Sequence, residues 1–364
     1  MSAAAELRVD IVVNNHNYGS YLGAALASAR AQTHENVAVM VVDDGSTDGS
    51  RALLAELGDD VAVVLKENGG QASALNAGFE RCGGQIVMFL DADDVLRPEA
   101  AARVAAAFAA DDAVAKVQFR MDVIEADGRS TGTIKPAPHL PMPAGDLRRD
   151  ELAFPFDITW MAMSGNAFRR TALERIMPIP TADYPRSGAD WYLVHLTALL
   201  GTVVSLEAVL ASYRVHGRNS YEPRAAELSV AHLRQAIERS APTSRALSRL
   251  ATELRMPHPE RILSLADLAN RMASLRLEPA LHPLPDDRIG GLLADAVRAA
   301  HRRTDVSVAM KAMFVAWFAA MALAPRPLAR WLATLFLFPE RRTALNHLLR
   351  RLRRSDRGQA LAAA

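Results

Sequence analysis

Over the first hundred residues, short apolar runs alternate with longer helical stretches. "RVDIVVNN", "VAVMVVDDGS", "VAVVLKENGG" and "QIVMFLDADD" each carry a β-branched run that ends in polar residues, and an alanine- or leucine-rich segment follows each. Ile86–Leu90 is apolar at every position and follows a Gly-Gly turn, the pattern of a strand buried on both faces. Such strands belong to sheets covered by helices on both sides, so the β-α repetition predicts an α/β fold with a doubly wound, mostly parallel sheet. The polar strand ends "NNHNYGS", "DDGSTDGS" and "DADD" are then expected at the carboxyl edge, where sheets of this kind bind ligands.

After Phe108 the texture changes. "VQFRMDVIEADGRSTGTI" alternates around a hairpin turn at "ADGR", and "KPAPHLPMPAGD" is a proline-rich loop. "MSGNAFRRTALERI" reads as a strand running into a helix and "SGADWYLVHLTALLG" as a helix. From Pro223 onward helix follows helix, broken at "APTS", "MPHPE", "EPALHPLPDD" and "APRP". These readings predict an α/β domain over 1–222, with a ligand-binding half 1–115 and a second half 116–222, followed by an all-α region 223–364.

Composition sets outer limits. Half of the 364 residues are hydrophobic, enough for a sizeable core, and 42 basic against 41 acidic residues give no support to nucleic-acid binding. Cys82 is the only cysteine, which excludes an internal disulfide and predicts a small core residue in a reducing compartment. "MSAAAELRVD" lacks the pattern of a signal peptide, and the longest apolar run, Ala312–Ala324, falls short of the ~18 residues that span a bilayer. A cytoplasmic protein and a buried helix at 312–324 are the expectations. Farther on, Leu345, Leu348, Leu349 and Leu352 share one helical face, with Arg350, Arg351, Arg353 and Arg354 around it. A basic amphipathic helix suits peripheral contact with the inner face of an anionic membrane, and equally a core or homo-oligomer interface.

The chemistry concentrates at the strand ends. Asp91, Asp93 and Asp94 fall within four positions; helix capping explains Asp94 but leaves Asp91 without a task. Clustered aspartates point to an oxygen-loving divalent ion, Mg²⁺ or Mn²⁺, and such ions bridge phosphates. The carboxylates of "VVDDGS" offer acceptors to a base N–H or to ribose hydroxyls, so a nucleotide diphosphate would satisfy both clusters. "NGGQASALNAG" permits close backbone approach but matches neither dinucleotide nor P-loop fingerprints. The two acidic clusters also evoke a phosphoacceptor signalling receiver. There, however, the acid pair ends the first strand, whereas "VDIVVNNHNYGS" precedes it here.

Taken in order, "VDIVVNNHNYGSYLGAALASARAQT", "VVDDGSTDGS", "NGGQASALNAGF", "IVMFLDADDVLRP", "MSGNAFRR", "SGADWYL" and "YRVHGRNS" resemble the successive motifs of glycosyltransferase family 2, over residues 9 to about 221. The resemblance implies a GT-A fold and inverting transfer of a single hexosyl group. The donor would be a nucleotide diphosphate sugar, UDP-linked by expectation, and the acceptor a hydroxyl on a saccharide or lipid-linked glycan in cell-surface polysaccharide synthesis. The acidic cluster becomes the family's DxD element, with Asp93 and His216 holding the metal and Asp91 reaching the ribose or a metal-bound water. Asp44 would accept from the base with Asp43 supporting the loop, and Asn15, His16 and Asn17 would line the nucleobase pocket. Gly70, Gln71, Asn76 and Ala92 complete the implied nucleotide-sugar set, Asp190 matches the general base, and Asn166 and Trp191 fall on the acceptor side.

Departures from the family pattern are local. Asn14, Asn15, His16 and Asn17 replace Pro-Thr-Tyr-Asn, Ala189-Asp190 replaces Glu-Asp, and the Gln-x-x-Arg-Trp element of processive polymerases is absent. One sugar per encounter is the expectation. A non-catalytic nucleotide-sugar-binding protein of the same fold stands as the second reading, since fold alone does not carry activity. His195, five residues beyond Asp190, lacks metal-ligand spacing and is expected in packing or solvent; helix packing also explains Trp191 and Tyr192.

Overall fold

The computed structural model describes residues 3–219 and 228–337. They divide into two compact units: residues up to Glu151 with those from Thr159 to 219, and Leu152–Ile158 with residues 228–337.

The first unit is built on strands β1 (Val9–Asn15), β2 (Val37–Asp44), β3 (Val61–Lys66), β4 (Ile86–Asp91), β5 (Val95–Leu96), β6 (Val114–Glu125), β7 (Ser130–Lys135), β8 (Asn166–Arg169) and β9 (Thr202–Val215). They form one sheet in the order β3-β2-β1-β4-β8-β6-β9-β5, with β7 paired to β6. The first four strands run parallel, as their unbroken apolar runs predict, and Ile86–Leu90 of β4 is buried on both faces. Complete burial of each large side chain there stabilises the fold by about 1.5–3 kcal/mol. β8 then runs antiparallel to β4 and β6, while β6 and β9 are parallel, so the second half of the sheet is mixed. The hairpin at "ADGR" is present as β6–β7, with Gly128 at φ 88° and its N–H donating to the Glu125 carbonyl at 2.9 Å.

Helices α1 (Ala3–Glu6), α2 (Gly19–Arg30), α3 (Ser50–Ala55), α4 (Gly70–Phe79), α5 (Ala100–Ala110), α6 (Arg148–Ala153), α7 (Arg170–Leu173) and α8 (Ala189–Thr197) fill the connections. α4 lies unusually close to β1: a Cβ on Gly78 would stand 2.5 Å from Cγ1 of Val12, so even alanine would push the helix away. Strand register does the rest for the site. It pairs Asn14 with Asp91, Asn15 with Asp43 and Asp44 with Lys66, so the polar strand ends share one edge.

The second unit comprises α9 (Val230–Glu253), α10 (Leu265–Leu277), α11 (Ile289–Arg302), α12 (Val308–Leu323) and α13 (Arg326–Leu337) around Leu233, Leu268, Met272, Ala296, Phe318 and Ala329. The segment Leu152–Ile158 belongs to it by chemistry. Asp157 accepts from the first backbone N–H groups of α10, Leu265 at 3.1 Å and Ala266 at 2.8 Å, and pairs with Arg303 at 2.8 Å. An acid there satisfies orphan donors and complements the helix dipole.

One expectation needs revision, and one falls beyond the described residues. α12 is not buried all round: Met310, Phe318 and Met321 face the core, and the opposite side is exposed, because a run lacking periodicity does not say which faces find partners. The basic helix around Leu345–Arg354 lies outside the described residues. No helix among the described residues is long and apolar enough to cross a membrane.

Candidate active site

Three loops meet at the carboxyl edge of β1, β2 and β3. Asp43 accepts from the Ser46 backbone N–H at 3.0 Å, from Asn15 Nδ2 at 2.8 Å and from Arg51 Nε at 2.9 Å. Burial works against its charge, yet the hydrogen bonds from Ser46, Arg51 and Asn15 outweigh that and hold its carboxyl below the usual range. Asp44 faces the other way: one oxygen accepts from Lys66 Nζ at 2.5 Å and Gly69 N–H at 3.0 Å, the other from Gly70 N–H at 2.8 Å. Three of the carboxylate's about four acceptor positions are thereby filled, by the end of β3 and the loop that follows it. Gly70 sits at φ +81°, and a Cβ there would stand 2.2 Å from the Pro185 carbonyl oxygen, so no other residue fits.

His16 joins these loops. Its Nδ1–H donates to the Asp44 carbonyl at 2.8 Å, and Nε2 accepts from Asn17 Nδ2 and Asn68 Nδ2, each at 3.1 Å. Asn17 is oriented by its other end, where Oδ1 accepts from the Thr47 N–H at 2.7 Å, and it adopts φ 58°, a conformation asparagine tolerates. Beside this network the Gly45–Thr47 and Lys66–Asn68 segments, with Arg51, line an open cavity of about 460 Å³.

The "DADD" segment after β4 forms the second part. Burial first, then the charges of Asp93 and Asp190, push the Asp91 carboxyl up to about 7, against hydrogen bonds from Asn14 and Gln71. Burial and the charges of Asp93 and Asp91 likewise hold Asp94 well above the carboxylate range. Asp94 accepts from the Arg214 N–H at 3.0 Å, the Arg214 guanidinium donates to the Asp93 carbonyl at 2.7 Å, and His216 Nε2 stands 3.0 Å from Asp93 Oδ2. Tyr21 stacks on the His216 ring at 4.8 Å and Tyr18 meets it edge-on at 5.3 Å, while Arg214 lies over Tyr21 at 5.0 Å. Burial, then the carboxylates of Asp93 and Asp91, raises the Tyr18 phenol above its ordinary range. Among the described residues no three His, Cys, Asp or Glu side chains stand ready around one ion; Asp93 and His216 supply two.

α8 supplies the third part. Gln71 Oε1 accepts from the Gly188 and Ala189 N–H groups at 3.0 and 3.2 Å, while Gln71 also hydrogen-bonds Asp91, so one amide links β4 to the start of α8. Asp190 occupies the first turn of that helix, close enough for its charge to raise Asp91. Below it lies a buried polar cluster. His195 Nδ1 stands 2.5 Å from Glu151 Oε1 and 3.1 Å from the Trp160 indole nitrogen, Trp191 packs on His195 at 5.8 Å between centroids, and Lys116 Nζ sits 3.3 Å over the Trp160 ring and donates to the Val194 carbonyl. Burial raises Glu151 and pushes Lys116 well below the usual lysine range.

Several residues singled out in the sequence have structural duties. Asn76 exchanges two hydrogen bonds with the backbone of Ile179, at 2.9 and 2.8 Å. Asn166 is wholly buried with its amide on the Met161 and Ala162 carbonyls, so it offers no surface to an acceptor; Asn15 and Ala92 are also buried, and Asn15 ties β1 to β2. Conversely, Tyr18, Tyr21, Lys66 and Arg214 join the site without having been singled out. The only prior signal for the tyrosines was their i, i+3 spacing at the start of α2.

Comparison with known proteins agrees with this geometry. The family model described as glycosyl transferase family 2 matches residues 10–177. An uncharacterised glycosyltransferase of Nostoc sp. is 35% identical over 227 residues, 61% of this chain and 69% of that protein. The succinoglycan biosynthesis protein ExoO of Rhizobium meliloti is 35% identical over 144 residues, 37% of this chain and 41% of its own. In fold, the chain is similar to the crystal structure of S. aureus TarS 1-349, with a TM-score of 0.54, 15% identity and 91% of each chain covered. With the parallel strand ends, the aspartate cluster and the α8 acid in place, the chain belongs to glycosyltransferase family 2.

Proposed function

We propose that this glycosyltransferase is a metal-dependent inverting enzyme that moves one hexosyl unit from a UDP-linked donor to a hydroxyl acceptor. The reading rests above all on Gln71, whose amide oxygen accepts from the Gly188 and Ala189 N–H groups at the start of α8, the turn that carries Asp190, while the same side chain hydrogen-bonds Asp91 at the end of β4. The solved structures of TarS with UDP and with UDP-GlcNAc support a uridine diphosphate donor. Similarity to a succinoglycan biosynthesis protein supports a saccharide or lipid-linked acceptor in polysaccharide assembly.

Mutual repulsion among Asp91, Asp93 and Asp94 is the condition a cation relieves, so the residues present fit a divalent ion, Mn²⁺ or Mg²⁺. Asp93 and His216 would hold it, and the bound ion would neutralise charge developing on the diphosphate leaving group. The remaining chemistry belongs to the chain. Asp44, with the loop tied by His16, receives the base, and Gly69 and Gly70 keep the backbone close. Gln71 fixes Asp190 relative to Asp91, and Asp190 takes the acceptor's proton as the hydroxyl attacks from the face opposite the leaving group, giving inversion without a covalent intermediate.

A panel of nucleotide sugars, scored by thermal stabilisation with and without Mn²⁺, tests the reading. UDP-linked donors are expected to stabilise the protein only with the ion present. Equal stabilisation in excess chelator counts against metal dependence.

A further inference from the structure

Helix α12 shows water a face without one polar side chain. Val308, Ala312, Ala316, Ala320 and Leu323 follow one another at helical spacing and all are exposed, Val308 at 82% and Leu323 at 86%. On α13, Leu328 and Trp331 are 45% and 56% exposed, and Arg326 and Arg330, also exposed and one turn apart, run along the other edge of the same face. The opposite side of the pair is satisfied. Phe318, Met321, Ala329 and Ala333 are buried, and the Trp317 indole N–H donates to the Leu332 carbonyl at 3.0 Å. An apolar surface left outside a well-made core marks an interaction site.

Charge decides what fits it. The 34 residues from Val306 to Pro339 contain no aspartate or glutamate, in a chain that balances 42 basic against 41 acidic residues overall, while Lys311, Arg326 and Arg330 are retained. A second copy of the same face would set cations against cations. An anionic bilayer surface suits every element: aliphatic side chains enter the acyl boundary, tryptophan lies at headgroup level, and arginines pair with lipid phosphates. Beyond Leu337 the sequence adds seven more arginines against Glu340 and Asp356. Since neither helix is long enough to cross, the contact involves one leaflet.

We propose that the exposed faces of α12 and α13 form an interfacial docking surface for anionic membranes. It does not depend on which sugar is transferred, and binding is read without any turnover. The full chain is sedimented with vesicles of phosphatidylglycerol in phosphatidylcholine and with phosphatidylcholine alone, and its molar mass is measured by light scattering. Wild type is expected to favour the anionic vesicles, and the double variant Leu323→Asp, Trp331→Asp to partition about tenfold more weakly at unchanged molar mass. If that variant fails to fold, Arg326→Gln with Arg330→Gln, both on the exposed edge, is expected to weaken binding severalfold in the same assay. Wild-type binding by the folded double variant overturns the proposal, since the surface would then lie elsewhere. A fall in molar mass on substitution overturns it in favour of a second copy.

Discussion

His216 Nε2 and Asp93 Oδ2 stand 3.0 Å apart although 123 residues separate them in sequence. β9 carries His216 to the loop after β4, and Tyr18 and Tyr21 enclose its ring. If this pair holds the ion, Asp93→Asn and His216→Ala both lower affinity for Mn²⁺ and for the donor together, with Asp93→Asn the more severe because it removes a charge from the ion's shell. Calorimetric titration of UDP with and without Mn²⁺ reads both constants. Unchanged donor affinity in either variant would remove that residue from the metal site.

Asp190 lies in the first turn of α8 behind the Gly188 cap, and Asp190→Asn keeps the size of the side chain but not its basicity. Transfer is expected to fall by about 10²- to 10⁴-fold with donor affinity nearly constant, the pattern of an interaction made in the transition state. Rates near wild type would place the base elsewhere.

Replacing His16 by phenylalanine preserves a flat ring and deletes the hydrogen bonds to the Asp44 carbonyl, Asn17 and Asn68. With two or three bonds lost at roughly 1 kcal/mol each, the donor KM is expected to rise at least about tenfold. Turnover at saturating donor should change little if, as proposed, the loops position the nucleotide rather than the acceptor. Steady-state kinetics separate the two effects, and a loss confined to kcat would contradict this assignment.

Lys116 makes a pH-dependent prediction. Burial holds its folded-state pKa well below the unfolded value of about 10.4, so the unfolded chain binds more protons and stability rises with pH across that interval. The penalty is fully present below the folded pKa and fades as pH approaches 10.4. Lys116→Met is therefore expected to raise the melting temperature at pH 7 by about 2–4 °C per kcal/mol recovered, and the gain should shrink in alkaline buffer. Calorimetry across pH checks the slope. A less stable variant at pH 7 would mean that the bond to the Val194 carbonyl outweighs the cost of burial.

The parallel half of the sheet was legible because strands buried on both faces leave unbroken apolar runs, as Ile86–Leu90 does, and because polar residues crowd where those runs end. Contacts across the fold left no such trace. Glu151 and His195 are 44 residues apart, and neither stretch signals a buried acid waiting for a histidine. Motif membership also does not tell which way an amide faces: Asn76 and Asn166 lie in segments that resemble the family, yet both serve backbone carbonyls. On α12, an apolar run with no periodicity hid the fact that one face of it meets solvent.

Asp157 is synthesised 108 residues before the helix whose amino terminus it satisfies, and 146 before the arginine that neutralises it. During synthesis the seven residues Leu152–Ile158 therefore emerge well before the α10 backbone and Arg303 that Asp157 engages. The helical unit is consequently not a detachable appendage. A stop codon after the last strand would strand Phe154 and Asp157 without Arg303 or the α10 backbone, and a gene fusion at that point would inherit the same unmet segment. Inheritance of the two units is tied together by a loop shorter than either.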